Sequence, residues 1–230
     1  MTYLLKKVRV YPKENIDWSE KAYLGMSMGN RIFQSPESLI ELWQYIASHT
    51  SHLTILVGDH LHRYNLQIFE GLSEKSAIDI AEEQGRRLVN IFMNTIGHTS
   101  PKEYHFLYTK SLMVHFAFDS KMTKFKMLYD SDPTFAALIE YTVNVFLRRH
   151  KEIKVSTEKA KNLCRLYLFE ELVIFEILAS EGYKVNIYPG NQLPIIKEIV
   201  TGKLKNVSEQ LESIQAVEVK FRPKQIVHTQ

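Results

Sequence analysis

Ala22-Tyr23-Leu24-Gly25-Met26-Ser27-Met28-Gly29-Asn30 is an apolar run that breaks at a Gly-x-Ser-x-Gly spacing. The segment that follows places Leu39, Leu42, Trp43 and Ile46 at i, i+3, i+4 and i+7, one buried helical face. Ser35-Pro36-Glu37 supplies its start, with serine as cap and proline at the first helical position. His52-Leu53-Thr54-Ile55-Leu56-Val57-Gly58-Asp59 is then an apolar run between polar turns, which suits a parallel strand buried on both faces. Strand, helix and strand in close succession make a βαβ unit. Ser27 therefore stands at the carboxyl edge of a sheet, where open α/β folds hold their ligands.

The same spacing occurs in the nucleophile elbow of α/β-hydrolases, which needs an acid and then a histidine in later loops. The late part of the chain offers only His150 and His228. A serine esterase is disfavoured on that ground. Ser27 also reads as the capping residue of a glycine turn, so its role has to come from what joins it.

The rest of the chain continues the alternation. A helical tract runs from about Ser73 to Ile96, Tyr104 to Tyr108 reads as a strand, and Lys121 to Leu128 and Pro133 to Arg149 read as helices. A helix from Thr157 to about Ser180 is closed by Gly182. Tyr183 to Tyr188 alternates as a strand, a short helix spans Leu193 to Val200, and Ala216 to Phe221 is a last strand. This predicts one doubly wound, Rossmann-like α/β domain over residues 1–230, with an irregular lead-in over 1–20 and a mobile Lys/Arg/Pro tail over 223–230.

Composition narrows the class. With 45% apolar and 24% charged residues the chain has the balance of one that buries a sizeable core. A net charge of +3 and a pI near 8.7 permit transient nucleic-acid contact without demanding it. The single cysteine, Cys164, excludes an internal disulfide and fits a reducing cytoplasm. No stretch reaches the roughly 18 apolar residues of a membrane span, and no signal-length run opens the chain. A cytoplasmic protein with no membrane partner is expected.

A second constellation lies in the helix from Thr157. Tyr167 and Glu171 are four apart, so both project from one otherwise apolar face beside Leu163, Leu166 and Ile174. A carboxylate buried there is costly unless it meets a cation. Tyr188-Pro189-Gly190 ends the following strand. Ser27, the Tyr167/Glu171 pair and Tyr188 can then converge on one carboxyl edge.

Taken together, these stretches resemble the cyclodipeptide synthases. The family's first signature is an apolar strand ending Gly-apolar-Ser, matched by Gly25-Met26-Ser27. Its second is Tyr-apolar-x-x-Glu-x-Pro, which Tyr167-Leu168-Phe169-Glu170-Glu171-Leu172 follows, with Val173 in place of the proline. The likeness in order and spacing covers roughly residues 20–200. The family divides by the residue three after the serine and the residue after the late tyrosine. Asn30 with Pro189 is a mixed state that leans to the proline branch.

The resemblance implies a fold like the catalytic domain of class I aminoacyl-tRNA synthetases, acting on two aminoacyl-tRNAs to release a diketopiperazine. No ATP or other cofactor and no metal is implied, since the aminoacyl ester is already activated. Ser27 would be the nucleophile, Glu171 would grip the aminoacyl ammonium, Tyr167 would orient that amine, and Tyr188 would assist ring closure. Gly25, Asn30, Ile55, Val57, Ile174 and Phe175 match substrate-binding positions, while Ile55, Val57, Ile174 and Phe175 also read as plain core. Arg86 and Arg87, with Lys75 nearby, stand where the family's tRNA-binding helix carries its charge. The run Arg148-Arg149-His150-Lys151 to Lys154 reads as a solvated helix end favoured by the dipole. His60-Leu61-His62 reads as a solvated loop rather than a metal site, and Cys164 as inert core. The rival reading is a non-catalytic tRNA- or nucleotide-binding module in which Ser27 caps a helix. Oligomeric state is not legible; a monomer is compatible.

Overall fold

The computed structural model describes residues 3–12, 15–50, 52–96, 103–149 and 152–223. Its six strands are β1 (Tyr3–Tyr11), β2 (Lys21–Met26), β3 (His52–Val57), β4 (Glu103–Tyr108), β5 (Tyr183–Tyr188) and β6 (Gln215–Pro223). They form one sheet in the order β1-β6-β5-β2-β3-β4, all parallel except β1, which pairs antiparallel with β6. The helices are α1 (Pro36–Ala47), α2 (Arg63–Phe69), α3 (Glu74–Ile96), α4 (Thr109–Met113), α5 (Phe118–Ser131), α6 (Pro133–Arg148), α7 (Thr157–Ser180), α8 (Pro194–Val200) and α9 (Glu209–Glu212).

Strand alternation divides the interior into two cores. Ala22, Leu24 and Met26 of β2, Ile55 and Val57 of β3, and Val185 and Ile187 of β5 face α1 and α3. Tyr23 and Leu56 face the other way, toward α7 and the helices around it. From Leu172 to Ala179 every residue of α7 is buried, so this third of the helix is core on all sides. Gly182 follows it at φ 90°, a left-handed closure that glycine adopts without steric cost.

The site follows from the topology. From β2 the chain winds through α1 to β3 and on to β4, and only after α7 does it return to place β5 on the other side of β2. The loops leaving β2 and β5 therefore diverge, and a crevice opens beyond their carboxyl ends. Ser27 and Tyr188 stand there.

One expectation is corrected. The supposed lead-in contains β1, a nine-residue edge strand. Its alternation is hidden because the register with β6 shifts between Leu5 and Lys7, a bulge that places Lys6 and Lys7 in succession. The stretch after His62 folds as α2, whose Arg63 and Gln67 are buried although both look like surface residues. The helix expected over Lys121 to Leu128 extends to Phe118–Ser131, and a 3-10 turn, Arg31–Gln34, precedes α1. His150, Lys151, His228 and the tail from 224 lie outside the described residues.

Candidate active site

Gly25, Ser27, Tyr167, Glu171, Phe175 and Tyr188 line one cavity of about 180 Å³. That is below the roughly 300–1,000 Å³ of pockets for larger ligands, and suits one amino acid. Ser27 is the first residue past β2, and its carbonyl accepts the Asn30 N–H at 3.1 Å, closing the turn that presents the hydroxyl. The Tyr188 ring is seated between two glycines. A Cβ on Gly25 would stand 3.3 Å from Tyr188 Cδ2, and one on Gly190 would stand 2.8 Å from Cε1. The ring leaves no room for a Cβ at Gly190 and crowds one at Gly25.

On α7 the Tyr167 hydroxyl donates to Glu171 Oε1 at 3.3 Å, as the four-residue spacing requires. The second carboxylate oxygen, Oε2, is buried with no hydrogen-bond partner. Burial pushes the Glu171 carboxyl up to about 7, against the lowering effect of Tyr167. Burial also raises the Tyr188 phenol, while the polar side chains of Asn30 and Ser27 beside it pull the other way. The site is thus a hydroxyl, two phenols held protonated, and a carboxyl poised near neutrality.

Other expected residues fall elsewhere. Ile55 and Val57 are fully buried in the core on the opposite side of the sheet, and Leu56 lines the cavity in their place. Neighbouring strand residues point to opposite faces, so an offset of one residue exchanges lining for core. Ile174 is core as well. Asn30 lies outside the cavity wall: its Oδ1 caps the 3-10 turn through Ile32 N, and its Nδ2 donates to the Pro189 carbonyl at 2.7 Å. It ties the turn after β2 to the end of β5. Arg86 and Arg87 are exposed on α3.

Several lining residues carry no obvious signal in the sequence. His62 and Asn65 reach the cavity from the turn before α2 and from α2 itself, so the supposed solvated loop is part of the wall. Arg149, read as a solvated helix end, is exposed yet stands at the same cavity. Asn186 lines the cavity from the same strand face as Tyr188; a polar residue at an inward strand position was the clue. Cys164 is buried and burial pushes its thiol up to about 12, as expected of inert core.

Beside the cavity runs a larger groove of about 700 Å³, lined by Lys6, Lys7, Arg9, Arg31 and Lys220. Asn191 lines both spaces, and Asn30 and Pro189 line the groove. The bulge in β1 and the edge position of this strand put Lys6, Lys7 and Arg9 there, while Arg31 comes from the 3-10 turn and Lys220 from β6. Among the described residues no group of three or more His, Cys, Asp or Glu could hold a metal ion, and no helix is long and apolar enough to cross a membrane.

The fold recurs in solved cyclodipeptide synthases. One from Fluoribacter dumoffii matches with a TM-score of 0.78 at 16% identity, covering 96% of this chain and 99% of its own. A Mycobacterium tuberculosis protein, whose structure relates cyclodipeptide synthetases to type I tRNA synthetases, matches with a TM-score of 0.67 at 16% identity over 90% of this chain and 87% of its own. The synthase from Candidatus Glomeribacter gigasporarum, bound to Phe-tRNAPhe, matches with a TM-score of 0.65 at 20% identity over 93% and 92%. At these identities the likeness is one of fold, and the fold is the single, mostly parallel α/β domain expected above. No protein-family model and no curated protein sequence matches the chain.

Proposed function

We propose that this protein is a cyclodipeptide synthase, joining the aminoacyl groups of two charged tRNAs into a diketopiperazine. The observation that carries the reading is Ser27 and an unpaired Glu171 carboxylate oxygen lining one amino-acid-sized cavity. The fold shared with solved synthases supports it.

In this reading Ser27 Oγ attacks the ester carbonyl of the first aminoacyl-tRNA. The aminoacyl group passes to Ser27, and the freed ribose hydroxyl of the tRNA takes the proton. Glu171 holds the α-ammonium of the bound group, the cation that its buried carboxylate lacks. A carboxyl near 7 is within about a unit of an α-amine's ordinary 7.7–8.0, so a proton passes between them at little cost. Tyr167, hydrogen-bonded to Glu171, orients the amine. The neutral amine attacks the second aminoacyl ester, forming a dipeptidyl-enzyme and releasing the second tRNA. The new terminal amine then attacks the Ser27 ester, closing the ring and restoring the hydroxyl, with Tyr188 placed beside Ser27 to relay the proton. Well-oriented intramolecular attack can supply roughly 7–11 kcal/mol of such a barrier, so no strong base is required. Backbone N–H groups of the Met28-Gly29 turn are the natural oxyanion donors.

The basic groove is the route by which the tRNA acceptor end reaches Ser27. Its cations match phosphates, and it meets the cavity at Asn191. The exposed Arg86 and Arg87 are a second, more remote contact.

Expression of the chain in a bacterial host, with mass spectrometry of the medium, tests the reading. Diketopiperazines are expected, Ser27→Ala abolishes them, and Glu171→Gln lowers them by about a hundredfold or more. Undiminished product from Ser27→Ala sinks the acyl-enzyme.

A further inference from the structure

We propose that the cavity selects an aminoacyl group with an uncharged polar side chain, a carboxamide above all. This rests on the synthase reading and names the substrate class of the same site.

The inference starts from two backbone carbonyls. Gln192 Nε2 lies 3.3 Å from the carbonyl oxygen of Asn186 and 3.5 Å from that of Val217. Carbonyls only accept, so Gln192 presents its N–H groups there. The same nitrogen lies 3.3 Å from Asn186 Oδ1. The Asn186 amide is thereby oriented: its oxygen faces Gln192, and the reverse orientation would set donor against donor. Gln192 is itself clamped, since its main-chain N–H donates to Glu218 Oε1 at 2.9 Å. What remains is Asn186 Nδ2, an N–H donor with no partner on a residue only 2% exposed that lines the cavity.

A second element supplies the complement. Asn65 Nδ2 stands 3.2 Å from His62 Nδ1. Burial holds His62 neutral, pushing its ring down to about 4, while Gln84 hydrogen-bonds it. A neutral ring that donates to Gln84 offers a lone pair at Nδ1, so the Asn65 amide gives its N–H there and leaves Oδ1 as a buried acceptor without a partner. Asn65 and His62 line the same cavity.

Apart from Glu171 Oε2, which the synthase reading gives to the ammonium, the cavity presents one unpaired donor, Asn186 Nδ2, and one unpaired acceptor, Asn65 Oδ1, among apolar walls of Leu56, Leu61 and Phe175 that suit methylenes. A carboxamide offers a carbonyl to Asn186 and an N–H to Asn65. A hydroxyl meets either, and an alkyl or phenyl group meets neither. Sites with buried polar groups reject the analogue that leaves them unpaired.

The test uses the purified full chain with tRNAs charged with asparagine, glutamine, serine, leucine or phenylalanine, alone and in pairs, and mass spectrometry of the products. Carboxamide-containing diketopiperazines are expected to form roughly tenfold to a hundredfold faster than those from leucine and phenylalanine alone. Asn186→Leu reverses the order, and Asn65→Leu moves it the same way; should Asn186→Leu fail to fold, Asn65→Leu carries the comparison from a different element. Products drawn only from apolar groups overturn the pocket assignment and leave the synthase reading standing. An unchanged preference in a folded Asn186→Leu protein does the same. No product from any pair overturns both.

Discussion

Glu170 and Glu171 are neighbours on α7 and are buried in opposite ways. Glu170 Oε1 accepts from Arg63 Nη2 at 2.6 Å and from the Tyr64 hydroxyl at 2.7 Å, and the Arg63 guanidinium lies 4.1 Å above the Tyr64 ring. Glu171 has only the Tyr167 phenol, and its carboxyl is lifted toward neutrality. Two more buried carboxylates follow the first pattern: Glu176 meets Lys121 and Lys124, and Glu218 meets Lys197 and Lys220. A buried carboxylate with a resident cation belongs to the scaffold. One without a cation is costly as it stands, and the cost makes sense where a ligand brings the charge.

The largest effect that tests this contrast falls on the paired side. Glu170→Ala leaves the Arg63 guanidinium buried and unmatched, and is expected to destabilise the fold by about 3–5 kcal/mol, read as a lower urea midpoint. Replacing a carboxylate that carries no structural weight should do nothing comparable. A loss below about 1 kcal/mol would make Glu170 as dispensable to folding as the contrast claims Glu171 to be.

The converse is Glu171→Gln, and its sign is opposite. The ordinary value of this carboxyl is 4.5 and the fold raises it to about 7, so the folded chain binds the proton more tightly than the unfolded one. Stability is then lost as pH rises from about 4.5 to about 7, by roughly 3 kcal/mol, and stays lost above that. The amide removes the charge. Glu171→Gln is expected to be more stable than the parent at pH 8 by up to that amount and equal to it near pH 4, while the proposed synthase activity falls. In the parent, kcat/KM should rise with pH through about 7 as the carboxylate forms. A variant less stable at pH 8 would mean that a cation already sits against Glu171.

The sequence made one half of this contrast readable and hid the other. Tyr167 and Glu171 announce themselves by a helical spacing, and Ser27 by a strand that breaks at glycine, because both signals are local. Glu170 pairs with Arg63 and Tyr64 from α2, more than a hundred positions earlier in the chain, and no local pattern carries such a pairing. The architecture was legible because β2 and β3 are apolar runs bounded by turns and β5 alternates up to Pro189-Gly190. β1 was not, since its bulge at Lys6 and Lys7 breaks the alternation that would have shown it. The lining of β3 was missed by one position: alternation told which residues share a face and not which face meets the cavity, so Ile55 and Val57 stood in for Leu56.

The contrast extends to cations, with the smallest effect. Arg63 is committed to Glu170, and Arg86 lies close enough to Glu82 to act on its carboxyl. Lys7 and Arg9 are exposed on the edge strand, on a groove that joins the cavity. If uncommitted cations beside the cavity are what the tRNA backbone meets, their removal should lower the salt dependence of binding by about one unit of slope per residue. Lys7→Gln with Arg9→Gln is therefore expected to weaken aminoacyl-tRNA binding several-fold at low salt and to flatten the plot of log affinity against log salt by about two units, leaving the fold intact. Arg86→Gln with Arg87→Gln should change that slope by less. Gel-shift titrations of both double variants at several salt concentrations read the two slopes directly. If the second pair flattens the plot and the first does not, the acceptor stem lies along α3, and the groove beside Tyr188 has another use.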